Sequence, residues 1–291
     1  MPDPAAAPLV FADHHAETGS WSYVVHDPAT RAAMIVDPVL DYDAAAARTR
    51  TVSAQRLLDH ARAQALDVRW IVETHAHADH LSAAGWLRAQ TGARVGIGAG
   101  IRQVQATFAD IYNLGADFTP DGRQFDHLFA PDETFALGQL TVGVLATPGH
   151  TNDSVSYRIG DAVFVGDTLF TPQGGSARCD FPGGNAGTLY DSVQRLFALP
   201  ADTRMFVCHD YPQGGRPAQA QTSVHDQRRD NIHLRDGTTR AQYVALREAR
   251  DRTLGMPRLI LPAIQWNIRA GNPPPAEHNG VAYLRIPLDR L

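Results

Sequence analysis

The 291-residue chain has only two cysteines, Cys179 and Cys208, too few for a disulfide framework, and a reducing compartment is the simpler reading of its thiols. No segment runs eighteen apolar residues without a charge, so no transmembrane helix is expected. Runs of basic side chains are missing too. With 26 basic against 31 acidic residues and a net charge of -5, the chain has no electrostatic footprint for nucleic acid. Its first eight residues are rich in Ala and Pro and lack the positive start and apolar stretch of a secretory leader, so a cytoplasmic protein is expected. What is there is an ordinary globular composition, 44% hydrophobic and 20% charged, able to build a sizeable core.

Residues 9–37 alternate turn signals with short apolar runs, Trp21 to His26 and Ala32 to Asp37, predicting strands paired through Asp27-Pro28-Ala29-Thr30. Residues 53–66 carry leucine and alanine at helical spacing behind Ser53 as N-cap, and lead into the strand-like VRWIVET. A dense histidine run follows, then LSAAGWLRAQTG, read as a helix closing at Gly92. Residues 93–98 predict a buried strand and 100–114 a helix, a β-α-β pattern. From 117 to 170 the chain turns to short strands, DETFALG, QLTVGVLATPGH, SVSYRIG and AVFVGDTLF, separated by Gly and Asp turns as in antiparallel hairpins. A glycine-rich loop over 171–187 precedes the helix LYDSVQRLFAL and the strand MFVCHDY. Beyond lie a polar, arginine-rich helical stretch over about 222–253 and an extended tail containing Pro273, Pro274 and Pro275.

The run His75-Ala76-His77-Ala78-Asp79-His80 puts four ligand-type side chains into six residues on the turn leaving an apolar strand. Alternate residues of such a turn can point into one cavity and share a metal. His150 closes QLTVGVLATPGH, Asp167 follows AVFVG and His209 follows MFVC, each just past a strand, where sites in α/β folds gather. Taken singly, each of these three reads as a polar surface or capping residue. The dense run does not, because so many ligand types after a buried strand are costly to keep without a metal. His14, His15, His26, His60, His127, His225, His233 and His278 lack this context and are expected to be ordinary surface residues.

The H-x-H-x-D-H run, then TPGHT, GDTLF and CHDY, resembles the metallo-β-lactamase superfamily in order and spacing over residues 9 to about 211. The resemblance implies an α/β fold, an αββα sandwich of two mixed β-sheets flanked by helices, with metal at one edge between the sheets. In two-metal members, the positions matching His75, His77 and His150 hold one metal, those matching Asp79, His80 and His209 hold the second, and Asp167 bridges. On this reading residues 1–291 form a single domain, with 212–291 a C-terminal helical and proline-rich extension.

A finer likeness lies in IVDPVLDYD, ETHAHADHLSAA, GDTLF, GGSARCDFPGG, CHDY and the tail from Glu248 onward, which together resemble the bacterial branch of the persulfide dioxygenases. That likeness implies one Fe(II) per chain, oxidising glutathione persulfide with O2 to sulfite and glutathione. It carries the iron ligands over to His75, His150 and Asp167, two imidazoles and a carboxylate that leave three positions open, as in non-haem iron oxygenases. His77, Asp79, His80 and His209 would orient those ligands or hold water nearby, or take a second metal. Arg178 is a candidate for a glutathione carboxylate, with an ion pair to Asp180 as the competing assignment. Tyr211 is a candidate donor to a bound oxygen species, against a structural role. Asn152-Asp153-Ser154 departs from the small, often cysteine-containing turn of several relatives.

The rival is a two-zinc thioester hydrolase of the glyoxalase II type, which uses the same ligand set. Its members end in a helical domain with basic residues, whereas this tail reads as extended. A non-catalytic binding or redox module is disfavoured because none of the seven ligand positions is missing. The expected partners are glutathione persulfide and O2, without nucleic acid or membrane, and assembly is left open between a homodimer and a homotetramer.

Overall fold

The computed structural model describes residues 7–212 and 214–291. The first half builds β1 (Leu9–His15), β2 (Ser20–His26), β3 (Ala32–Val36), β4 (Val39–Asp43), β5 (Arg48–Arg50), α1 (Val52–Ala63), β6 (Asp67–Val72), β7 (Leu81–Ser82), α2 (Ala84–Thr91), β8 (Arg94–Gly98), α3 (Ile101–Ile111) and β9 (His127–Phe129). The second builds β10 (Thr134–Leu137), β11 (Leu140–Ala146), β12 (Val155–Ile159), β13 (Ala162–Phe164), α4 (Ala186–Phe197), β14 (Arg204–Phe206), β15 (Gln221–Ser223), α5 (Val224–Asp230), α6 (Arg240–Asp251) and α7 (Ile260–Asn267).

One mixed sheet runs β1-β2-β3-β6-β8-β9, a second runs β10-β11-β12-β13-β14-β15, and β5-β4-β7 form a small third one. In the first sheet β3, β6, β8 and β9 run parallel; in the second only β13 and β14 do. Because side chains alternate across a strand, β2 sends Tyr23 and Val25 one way and Val24 the other. Tyr23, Val25, Met34, Val36, Val72 and Phe129 meet Val142, Val144, Tyr157, Ile159 and Phe164 in the core between the sheets. Val24, Ile35, Ile71 and Val95 pack outward against α1, α2, α3 and α7, while Val163, Met205 and Val207 pack outward against α4 and α6. The layering is the expected αββα sandwich.

Local chemistry sets the helix boundaries. Asn185 caps α4 by accepting from Thr188 N at 2.8 Å, and Thr239 with Gln242 forms a capping box at α6. Ser53 lies inside α1 rather than capping it. Its N–H donates to Asp41 Oδ2 at 2.8 Å, so a carboxylate from β4 does the work expected of the serine. Leu81 and Ser82, expected in the second helix, pair with β4 instead, because their backbone groups meet Val39 and Leu40. The helical stretch over 222–253 holds two helices, α5 and α6, separated by residues 231–239. The tail is not extended throughout. It contains α7, whose Pro262 sits in the first turn, where its missing N–H has no helical partner to lose.

Candidate metal centre

Every candidate ligand stands on a turn at one edge of the sandwich. Residues 73–80 leave β6 without forming a helix, and their carbonyls are held from the far end of the chain. Asn267 Nδ2 in α7 donates to the backbone oxygens of His77 and His80, both at 2.8 Å, and its Oδ1 accepts from Ser82 N at 2.8 Å. His150 follows Gly149, whose φ of +136° and closeness to α4 admit only glycine. A Cβ there would lie 2.3 Å from Leu189 N. Asp167 sits on a single helical turn, Gly166–Thr168, beyond β13. His209 follows β14, and its neighbour Asp210 N donates to Gly19 O in the turn between β1 and β2.

The structure brings all seven sequence candidates together. His75, His150 and Asp167 present ligand atoms within 4.8 Å of one another, and all three are buried. His75 Nε2 and His150 Nε2 lie 3.9 and 3.6 Å from the same carboxylate oxygen, Asp167 Oδ2. His209 Nε2 stands 3.3 Å from the other oxygen of Asp167 and 3.4 Å from Asp79 Oδ2. His80 turns its Nδ1 to Asp79 Oδ2 at 3.1 Å. His77, His80 and Asp79 form a further cluster.

The residues fit a cation. His75 Nε2, His77 Nδ1, His80 Nε2, His209 Nε2 and Asp167 Oδ1 are buried without a hydrogen-bond partner among the described residues. Leaving such atoms unpaired costs about 1–3 kcal/mol each, which a shared metal removes. Burial, reinforced by His77 and His150, holds the His75 imidazole well below its usual pKa and so in the neutral form that binds metal. His150 Nδ1 donates to Arg178 O at 2.7 Å, which leaves Nε2 as its inward lone pair.

Several supporting residues had no signal in the sequence reading. Asp37, at the end of β3 with φ of +48°, accepts from Thr74 N and Thr74 Oγ1 and lies 3.1 Å from His77 Nε2. Glu73 Oε2 is 3.5 Å from the same nitrogen. Against a burial that alone would lower it, Asp37 and Cys208 hold the His77 pKa well above its usual value. Asp153, in the divergent turn, accepts from Ala76 N at 2.8 Å and so braces the run from the second sheet. A carboxylate just past an apolar strand was the available clue to Asp37; Ser20, Asn267 and Asp153 carry none, because their partners lie 59, 190 and 77 positions away.

A cavity of about 730 Å³ opens over His150, Asp167, Asp79 and His209. Arg178, Arg216, Arg247, Arg250 and Arg258 line it, and because the chain has no lysine every cation at its rim is a guanidinium. Arg178 donates to both oxygens of Asp180, at 2.6 and 2.7 Å, and to Gly255 O, so the competing assignment is the one found. Arg247 is buried against Asp251, and Arg216 is paired with Asp210. Arg250 is exposed and has no ion-pair partner among the described residues. Tyr211 is 57% exposed, stacks on His209 at 5.5 Å, and covers Gly19, where a Cβ would lie 2.7 Å from its ring. His233 is not a surface residue as expected. It is buried, accepts from Ser176 N at 3.0 Å, and burial with nearby Arg247 lowers its pKa to about 4.

Residues 16–209 match the Metallo-beta-lactamase superfamily. The chain belongs to that superfamily. It is an enzyme of the superfamily by its fold and its buried His and Asp clusters. It is 49% identical over 287 residues to a beta-lactamase hydrolase-like protein of Agrobacterium fabrum, covering 99% of this chain and 66% of that protein's length. It is 45% identical to glyoxylase B2 of Dictyostelium discoideum, covering 97% of each. Bovine persulfide dioxygenase ETHE1 shares 29% identity over 195 residues, 66% of this chain and 64% of that one. The crystal structure of ETHE1 from Myxococcus xanthus superimposes with a TM-score of 0.72 and 33% identity over 91% of this chain and 100% of that one. No helix among the described residues is long and apolar enough to cross a membrane.

Proposed function

We propose that this metallo-β-lactamase superfamily enzyme is a persulfide dioxygenase holding one Fe(II) between His75, His150 and Asp167. The observation that carries the reading is the closure of that trio. Its three ligand atoms lie mutually within 4.8 Å with both imidazoles directed at one oxygen of Asp167, whereas in the equally close group of His77, Asp79 and His80 the His80 Nδ1 is turned to Asp79 and the His77 Nε2 to Asp37. Two imidazoles and one carboxylate on one face suit non-haem iron with open positions. The likeness to ETHE1 from Myxococcus xanthus supports it.

The overall change is a persulfide plus O2 and one water giving a thiol, sulfite and two protons. Bound iron supplies the redox chemistry between persulfide sulfur and dioxygen. The chain's own work is positioning and shielding. Phe181, edge-on to His150 at 5.4 Å, and Phe170, edge-on to His209 at 5.7 Å, give the floor of the cavity apolar walls. Arg250 at the rim suits a glutathione carboxylate, in place of Arg178, whose fork is filled.

A two-zinc thioester hydrolase is the second reading. It is favoured by the 45% identity to glyoxylase B2 and by the arginine-bearing helix α6 beside the cavity, which removes the argument drawn from an extended tail. Metal content and oxygen uptake on anaerobically purified protein decide between them. One iron per chain with oxygen consumed on glutathione persulfide supports the dioxygenase; two zincs, no uptake and thioester cleavage overturn it.

A further inference from the structure

Helix α6 hides a polar face. An amphipathic helix ordinarily covers an apolar stripe, yet the fully buried residues of α6 are Tyr243, Arg247 and Asp251, four apart and so in one row along the helix. All three direct hydrogen-bonding groups at residues 176–179 of the glycine-rich loop. Tyr243 Oη lies 2.8 Å from Ser176 Oγ, Arg247 Nη1 donates to Ser176 O at 3.0 Å, and Asp251 Oδ2 accepts from Cys179 N at 2.8 Å. Arg247 is itself fixed by Asp251 Oδ1, which accepts from its Nε at 2.8 Å and meets its Nη2 at 2.6 Å. Arg178 adds a link of its own, donating from Nη1 to Gly255 O just past the helix.

Between the two clamped backbone groups stands the carbonyl of Arg178, 2.7 Å from His150 Nδ1. A carbonyl only accepts, so the imidazole proton sits on Nδ1, and Nε2 is left facing Asp167 Oδ2 at 3.6 Å. We propose that Arg247 and Asp251 are positioning residues for the metal centre, which set the place of Arg178 O and through it the tautomer and direction of the His150 imidazole. The inference rests on His150 as a metal ligand, an assignment that the one-iron and two-zinc readings share.

Stability alone does not account for the buried pair. Two charges taken out of water lose their hydration, and an apolar pair of similar volume often serves a fold as well or better. What an apolar pair cannot do is aim a guanidinium N–H at Ser176 O and a carboxylate oxygen at Cys179 N, and so fix the two residues between them. Residues 16–209 carry the superfamily match, and α6 lies beyond it. His150 on the second sheet is therefore held in place by a C-terminal helix, as the turn bearing His77 and His80 is held by Asn267 of α7.

The test uses the full chain loaded with zinc(II), a diamagnetic probe. Two quantities are read: zinc retained against a graded chelator, and the exchange with water of the His150 Nδ1 proton, identified by its absence from the proton spectrum of His150→Ala. Asp251→Ala, and the double variant Arg247→Met with Asp251→Leu, which leaves no buried charge unpaired, are expected to bind zinc about 10–100-fold more weakly and to lose the slow exchange of that proton. Asp251→Asn, whose amide oxygen still accepts from Cys179 N, is expected to recover most of the affinity. Val244→Ala loosens the packing of α6 without removing a hydrogen bond to residues 176–179, so it should lower the melting temperature and leave zinc and the proton unchanged. The proposal is overturned if the double variant keeps zinc affinity within about three-fold of wild type together with the slow proton, or if Val244→Ala loses zinc equally. His150→Ala separates the two levels. Full zinc retention there overturns the ligand assignment and the proposal with it; lost zinc there beside unchanged zinc in the Asp251 variants overturns the proposal alone.

Discussion

Asp167 is the residue on which the centre turns, since its two oxygens face His75 and His150 on one side and His209 on the other. Replacing it by alanine is expected to abolish iron binding. Replacing His77, whose Nε2 is directed at Asp37 and Glu73, should leave binding weakened by about 10–100-fold, the size typical of groups that orient ligands. Metal analysis after dialysis against a graded chelator separates the two, and equal loss would show that the three-ligand assignment is wrong. At this scale much was legible. The histidine run after an apolar strand stands out by spacing and residue type, whereas His150, Asp167 and His209, each past a strand of its own, join it through the motifs that resemble the superfamily. Asp153 and Ser20 were not legible, because a carboxylate or hydroxyl acquires its role only when the fold brings a distant partner to it.

At the scale of elements, the segment between α5 and α6 is tied to the cavity wall by Asn231 and Ile232, which donate to Gly175 O and Pro172 O, and by a buried imidazole. His233 accepts from Ser176 N, and its folded pKa of about 4 lies below the ordinary 6.5. The unfolded chain therefore binds more protons than the folded one between those values. The stabilisation is full above pH 6.5 and is lost as pH falls through about 4, a change of up to about 3 kcal/mol. Urea unfolding at pH 7 and pH 4.5 should show this loss, and His233→Gln should flatten it; an equal slope in both proteins sinks the idea. The elements themselves were largely readable from periodicity. The misreadings fell where backbone pairing overrides pattern, as at Leu81 and Ser82, and where a proline in a first turn disguised α7.

Over the whole molecule, the superfamily match ends at residue 209, yet α7 lies beyond it and grips the metal-bearing turn. Asn267→Ala leaves the oxygens of His77 and His80 and the N–H of Ser82 buried and unpaired, costing roughly 2–4 kcal/mol. Thermal melts should show the drop, and metal affinity should fall with it although no candidate ligand has changed. A chain ended before α7 would also remove Ile260, Ala263, Ile264 and Ile268 from the apolar cluster outside the first sheet, and is expected to aggregate rather than to persist as a smaller folded unit. Light scattering on that truncation checks it. The αββα layering could be read from the motifs, while the role of the C-terminal segment could not, since it rests on contacts nearly two hundred positions apart.

Both thiols are sealed: Cys208 is 1% exposed and Cys179 is 6% exposed with its pKa pushed up to about 12, and there is no lysine anywhere in the chain. The folded surface therefore offers almost no soft or amine nucleophile in its side chains. Maleimides and iodoacetamide should leave both thiols unlabelled until the protein unfolds, and amine-directed esters find no side-chain amine in either state, so that the appearance of thiol label becomes a direct clock for unfolding.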